Sequence, residues 1–127
     1  MSSLQRILYV EDEPDIQEVA LMTLEVIGGF TVEACSSGHE AIDKASGFAP
    51  DLILLDVMMP GMDGPTTLQE LRKRAETTKT PVIFMTAKVQ SHEINQYLEL
   101  GAVGVITKPF DPVTLCDQIK ELWSNAP

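Results

Sequence analysis

The sequence predicts an α/β sandwich in which five strands alternate with five helices and form one parallel sheet covered on both faces. Three observations carry that prediction. Short β-branched runs alternate with stretches of helical period along the whole chain. The runs Leu52–Leu55 and Val82–Met85 are apolar at every position, the pattern of strands buried on both faces. No internal repeat, low-complexity segment or linker interrupts the alternation.

The elements come in order along the chain. Ile7-Leu8-Tyr9-Val10 is the first strand, and Pro14 then suits the first position of a helix. Ile16, Val19, Ala20, Thr23 and Ile27 recur at helical spacing until Gly28 stops the run. Phe30 to Cys35 is the second strand, and Ser37-Gly38-His39-Glu40 has the form of a capping box. Ala41, Ile42 and Ala45 face inward on the helix it opens. The third strand, Leu52 to Leu55, leads to a helix carrying Leu68, Leu71 and Ala75. The fourth, Val82 to Met85, leads to one carrying Ile94, Tyr97 and Leu98, closed by Gly101. Val103 to Thr107 is the last strand, and the final helix takes Asp111 as cap and Pro112 as first residue before Leu115, Ile119 and Leu122.

Composition then removes whole classes of function. A chain of 127 residues is one domain with room for a sizeable core. Nine basic residues against nineteen acidic ones give a net charge of −10, which repels nucleic-acid backbones and anionic lipid. The one basic run, Arg72-Lys73-Arg74, reads as a solvated helix face. No apolar run approaches the ~20 residues of a membrane span, and the N-terminus lacks the apolar stretch of a signal peptide. Cys35 and Cys116 have no metal-ligand spacing and read as buried small side chains. A cytoplasmic protein fits these features.

In an open parallel sheet, ligands sit beyond the carboxyl ends of the strands. Strand one ends in Glu11-Asp12, strand three in Asp56, strand four in Thr86-Ala87 and strand five in Lys108-Pro109. Taken singly, these residues could cap helices, open turns or be solvated. Together they place three carboxylates, a hydroxyl and an ammonium on one edge. Like charges about 4 Å apart repel by roughly 4 kcal/mol at an effective dielectric of 20, so such a site calls for a cation. Oxygen ligands without His or Cys select a hard ion, Mg²⁺ in a cell. One carboxylate can then act as nucleophile toward a phosphoryl group, giving an aspartyl phosphate. Asp56 is the best candidate, Lys108 and Thr86 can hold phosphoryl oxygens, and Glu11 and Asp12 remain as metal ligands.

These residues resemble the receiver domain of bacterial two-component response regulators. The resemblance rests on Glu11-Asp12, on Asp56-Val57-Met58-Met59-Pro60-Gly61-Met62-Asp63-Gly64, on Met85-Thr86-Ala87 and on Thr107-Lys108-Pro109-Phe110. Four elements in order after the right strands are a specific signature, and the match runs over about residues 5 to 123 of a single receiver domain, 1–127. It implies a flavodoxin-like fold with strand order 2-1-3-4-5 and a cis peptide before Pro109. It implies phosphorelay signalling, with Asp56 accepting a phosphoryl group from a histidine kinase or phosphotransfer protein. Asp12, Asp56 and the backbone carbonyl of Met58 would bind Mg²⁺, with Glu11 alongside, and Thr86 and Lys108 would engage the phosphoryl group. The downstream target would be another protein or an output domain outside this chain.

One position departs from the family. Three residues before the lysine, many receivers carry a Tyr or Phe whose rotamer reports phosphorylation, and here Val105 occupies that place. A valine has no ring to swing. Signalling is therefore expected to run through Thr86 and the loop from Ala87 to Ser91.

The rival reading is a Mg²⁺-dependent phosphohydrolase that also forms an aspartyl phosphate. It needs a second acid two residues after the nucleophile, and Met58 stands there. A flavin or dinucleotide module needs a phosphate-cradling loop after strand one, where Glu11-Asp12-Glu13-Pro14-Asp15 would repel phosphate. A degenerate receiver is disfavoured because acceptor, acidic pair, Thr86 and Lys108 are all present. The reading is accordingly a signalling domain and not a turnover enzyme. His39 and His92 read as surface residues, and Met58, Met59 and Met62 as loop packing.

Overall fold

A computed structural model describes residues 3–87 and 90–126. The order is β1 (Arg6–Val10), α1 (Pro14–Met22), β2 (Thr31–Cys35), α2 (Gly38–Phe48), β3 (Leu52–Asp56), α3 (Gly64–Arg72), β4 (Val82–Thr86), α4 (Ser91–Glu99), β5 (Gly104–Thr107) and α5 (Leu115–Ser124). The strands form one sheet in the order β2-β1-β3-β4-β5, and every pairing is parallel. β3 and β4 are buried at all positions, as their unbroken apolar runs require. No helix among the described residues is long and apolar enough to cross a membrane.

Alternation along the strands divides the core in two. Leu8, Val10, Ile53, Leu55, Val82 and Phe84 face α2 and α3. Ile7, Tyr9, Leu52, Leu54, Ile83 and Met85 face α1 and α5. The two faces emerge at the carboxyl edge as different chemistry, because Glu11 and Asp56 continue the second set. The cysteines lie in these clusters, and burial pushes the Cys35 thiol up to about 12.

Several details depart from the periodic reading. The first helix does not run as one α-helix to Ile27: after Met22 it widens into a π-helical segment, Thr23–Ile27, with Gly28 N–H donating to Thr23 O at 3.1 Å. The wider turn rotates the later side chains about the helix axis. Leu24 enters the core, while Ile27 is left 64% exposed; Val19, ahead of the widening, is 46% exposed. Ala75 lies beyond the end of α3 and is exposed, and Leu98 is also exposed. The final helix begins at Leu115, because Asp111 and Pro112 form a separate turn in which Asp111 Oδ1 accepts from Val113 N–H at 2.9 Å.

The Ser37 cap is present, its hydroxyl accepting from Glu40 N–H at 3.1 Å. Glu40 returns the bond one residue early, accepting from Ser36 N–H at 2.6 Å. Arg72 is not part of a solvated face. It is half-buried, and its guanidinium donates to the carbonyls of Thr77 and Thr80 at 2.9 and 2.6 Å, holding the turn before β4. Lys73 and Arg74 are exposed as expected, and so are His39 and His92.

The loop after β3 is clamped by backbone. Val57 N–H donates to Met85 O at 3.0 Å, and Gly64 N–H returns to Val57 O at 2.9 Å. A Cβ on Gly64 would stand 2.5 Å from Asp56 O and 2.9 Å from Val57 Cα, both backbone atoms that cannot step aside. Gly64→Ala is therefore expected to lower the unfolding free energy by about 1–3 kcal/mol, the usual cost of forcing a methyl into a filled space. Urea denaturation measures it, and an unchanged midpoint would show that this loop is not tightly held.

Candidate functional site

β1 and β3 are neighbours, with Val10 opposite Leu55, so the residues at their carboxyl ends meet at one edge of the sheet. Glu11 N–H donates to Cys35 O at 2.9 Å, and Gln17 Nε2 donates to both Glu11 O and Cys35 O, at 3.0 and 3.1 Å. Glu11 is thus held by strand-like pairing on one side and by α1 on the other. Its carboxylate Oε2 accepts from Glu13 N–H at 3.3 Å. Glu11 is 0% exposed and Asp56 2% exposed, while Asp12 is half-buried.

Glu11, Asp12 and Asp56 each offer a carboxylate oxygen, and the three oxygens lie within 4.8 Å of one another. Lys108 reaches into this cluster from the end of β5. Its Nζ stands 3.0 Å from Glu11 Oε1 and 3.2 Å from Asp56 Oδ1. Its backbone N–H donates to Thr86 O at 2.9 Å, which ties the ends of β4 and β5 together, and the Lys108–Pro109 peptide bond is cis. Thr86 is buried at the end of β4.

The charges respond to this crowding. Burial, then the neighbouring Glu11 charge, raises the Asp56 carboxyl to about 7, against the pull of Lys108. Burial works against the Lys108 ammonium, but its hydrogen bond to Glu11 and the Asp56 charge outweigh that and raise its pKa. Among the described residues one ammonium, bonded to Glu11 and Asp56, faces three acids, which leaves the site short of positive charge. An all-oxygen donor set of this kind fits a hard divalent cation.

The structure therefore gathers Glu11, Asp12, Asp56 and Lys108 at one point and sets Thr86 at the adjacent strand end. Met58 stands two residues beyond Asp56 with its side chain 63% exposed, so a ligand from it would be the backbone carbonyl. Val105 is half-buried on β5 beside Phe84. In the loop from Ala87 to Ser91, Lys88 and Val89 lie outside the described residues.

A family model described as the response regulator receiver domain matches residues 7–120. The chain belongs to that family. Curated relatives of this receiver include a probable C4-dicarboxylate response regulator, DctR, from Priestia megaterium. It is 42% identical over 105 residues, 82% of this chain and 45% of the relative. The phosphate regulon transcriptional regulatory protein PhoB from Escherichia coli is 40% identical over 116 residues, 91% of this chain and 50% of the relative. The receiver thus spans about half the length of these relatives.

Among solved structures, the chemotaxis response regulator CheY4 of Vibrio cholerae superposes with a TM-score of 0.87 at 29% identity, covering 94% of this chain and 99% of that one. The receiver domain of sensor histidine kinase PA1611 from Pseudomonas aeruginosa has a TM-score of 0.83 at 28% identity, covering 97% and 100%. That structure holds a magnesium ion in its active-site cleft. The flavodoxin-like order 2-1-3-4-5 implied by the motifs is the order present here.

Two contributors to the site escaped the sequence reading. Gln17, which holds the Glu11 and Cys35 carbonyls, sits in a helix whose polar residues all look alike in sequence. Tyr9, buried beneath Glu11, read only as an apolar strand residue. Its parity with Glu11 is the signal that could have found it.

Proposed function

We propose that this receiver, as one unit spanning the chain, accepts a phosphoryl group on Asp56 from a histidine kinase or histidine phosphotransfer protein, with Mg²⁺ bound, and so switches a protein-interaction surface. The observation that carries the reading is the convergence of three carboxylates and Lys108, with Asp56 almost fully buried among them. Asp12, Asp56 and the Met58 carbonyl would hold the metal, with Glu11 beside them, and the metal would supply positive charge for the phosphoryl oxygens. An Asp56 Oδ attacks phosphorus in line. The bond from phosphorus to the donor nitrogen breaks as the new P–O bond forms, and its electron pair leaves with the imidazole. Lys108 and the Thr86 hydroxyl take the remaining phosphoryl oxygens. Two residues after Asp56, where a phosphohydrolase of this kind needs its second acid, stands Met58, which favours signalling over phosphohydrolysis. Its target is a downstream protein or an output domain in a longer chain, in the cytoplasm. Incubation with Mg²⁺ and acetyl phosphate, followed by intact-mass measurement, tests the reading.

The metal ligands are separable from their neighbours. Asp12→Ala is expected to weaken Mg²⁺ binding at least about tenfold, since even outer-shell losses cost that much. Glu13→Ala should leave it unchanged, because only the Glu13 backbone N–H touches the cluster. For the wild type, affinity should rise from pH 5 to pH 8, because the raised Asp56 carboxyl keeps its proton until near neutrality. Calorimetry suits the measurement. Trp123 donates to Asp51 O at the opposite end of β3 and is a poor reporter of the site. Equal affinities in the two variants would remove Asp12 from the ligand set.

A further inference from the structure

β1 and β3 alternate in step, so Tyr9, beside Leu54, points to the same face as Glu11 and Asp56 and lies one step beneath them. Level with it across the sheet are Leu54 and Ile83, and Met85 and Ile106 belong to the same apolar cluster. Tyr9 is 0% exposed, and its Oη has no hydrogen-bond partner among the described residues. A buried hydroxyl without a partner is normally selected against, because it has lost water and gained nothing. The Tyr9 hydroxyl lies close to the Glu11 carboxylate but makes no hydrogen bond of full geometry to it in this state.

What occupies Glu11 instead is Lys108, at 3.0 Å. Resting on the phosphoacceptor reading above, we propose that Tyr9 is a positioning residue for the receiver's activated state. Its phenol O–H takes the Glu11 carboxylate as acceptor when the Lys108 ammonium leaves Glu11 for the phosphoryl group on Asp56. The resting state then leaves the hydroxyl without a full hydrogen bond, and the phosphorylated state completes one. Phosphorylation would otherwise leave the buried Glu11 oxygen without the Lys108 donor, and the handover gives it another.

Tyr9→Phe, which keeps the ring and deletes only the hydroxyl, tests this with beryllofluoride plus Mg²⁺ as the phosphoryl mimic. The ligand-free variant is expected to unfold at the same temperature as wild type or higher. Its beryllofluoride affinity is expected to fall about tenfold, the scale of one hydrogen bond to a charged group. Chains carrying [¹³Cζ]-tyrosine give two resonances, Tyr9 and Tyr97, and the Tyr9 signal should move on adding the mimic. In a Glu11→Ala background the effect of Tyr9→Phe should vanish. Unchanged affinity, an unmoved Tyr9 resonance, or an effect undiminished without Glu11 each overturns the handover. Failure is separable from that of the underlying reading: a wild type that gains no phosphoryl mass with acetyl phosphate overturns the acceptor assignment itself.

Discussion

Wild-type protein incubated with Mg²⁺ and acetyl phosphate is expected to gain the mass of one phosphoryl group, and Asp56→Asn to gain none. The loss should be essentially complete. An amide is a far weaker nucleophile than a carboxylate, and Glu11 cannot substitute while its own oxygens are held by Lys108 and Glu13 N–H. The adduct should survive acid and be released by base, as an acyl phosphate is. Equal labelling of the two proteins would overturn the assignment of Asp56.

The same substitution should leave the fold sound, which makes the negative result interpretable. Asp56 has a folded pKa raised above its unfolded value of 3.8. Between those values the folded state holds a proton that the unfolded state has released, so wild-type stability falls as pH rises through that window. Asparagine removes the titration. Asp56→Asn should therefore match wild type near pH 4 and exceed it at pH 8, as thermal melts across that range would show.

The second large effect concerns Lys108. Its ammonium is the positive partner that the described structure gives to both Glu11 and Asp56, and neither acid is reached by solvent. Lys108→Met fills a similar volume and removes the charge. Without Mg²⁺ at pH 8, it is expected to lower the unfolding free energy by about 3 kcal/mol, the cost of stranding buried charge. The deficit should shrink toward pH 5, because Asp56 escapes it by taking up a proton. Millimolar Mg²⁺ should also recover part of it, since a divalent ion replaces the lost charge. A deficit independent of both pH and Mg²⁺ would mean that Lys108 contributes packing alone.

The sequence by itself determined the alternation of elements, the burial of β3 and β4, and the identity of the residues at each strand end. These are local properties, since hydrophobic period, turn residues and the polar residue that stops an apolar run can be read without knowing what lies opposite. The sheet order was legible through motif resemblance, and the parallel pairings agree with it. Where helical period alone was the guide, it misplaced Val19, Ile27, Ala75 and Leu98. Period says which residues share a face, but the π-helical widening after Met22 resets that face for Ile27, and the early end of α3 leaves Ala75 outside the helix.

Only the tertiary structure decided how the charges share the site. Lys108 is 97 residues from Glu11 and 52 from Asp56 along the chain, and no local pattern says which carboxylate it will choose. Sheet register and the tie between Lys108 N–H and Thr86 O place it against both. The structure also turned Arg72 from a surface charge into a brace for two carbonyls, and Tyr9 from a core residue into a donor under the acids that lacks a full hydrogen bond. The physical reason is common to all three. A polar atom's role depends on which partners remain within about 3 Å once water is excluded, and the packed chain alone settles that.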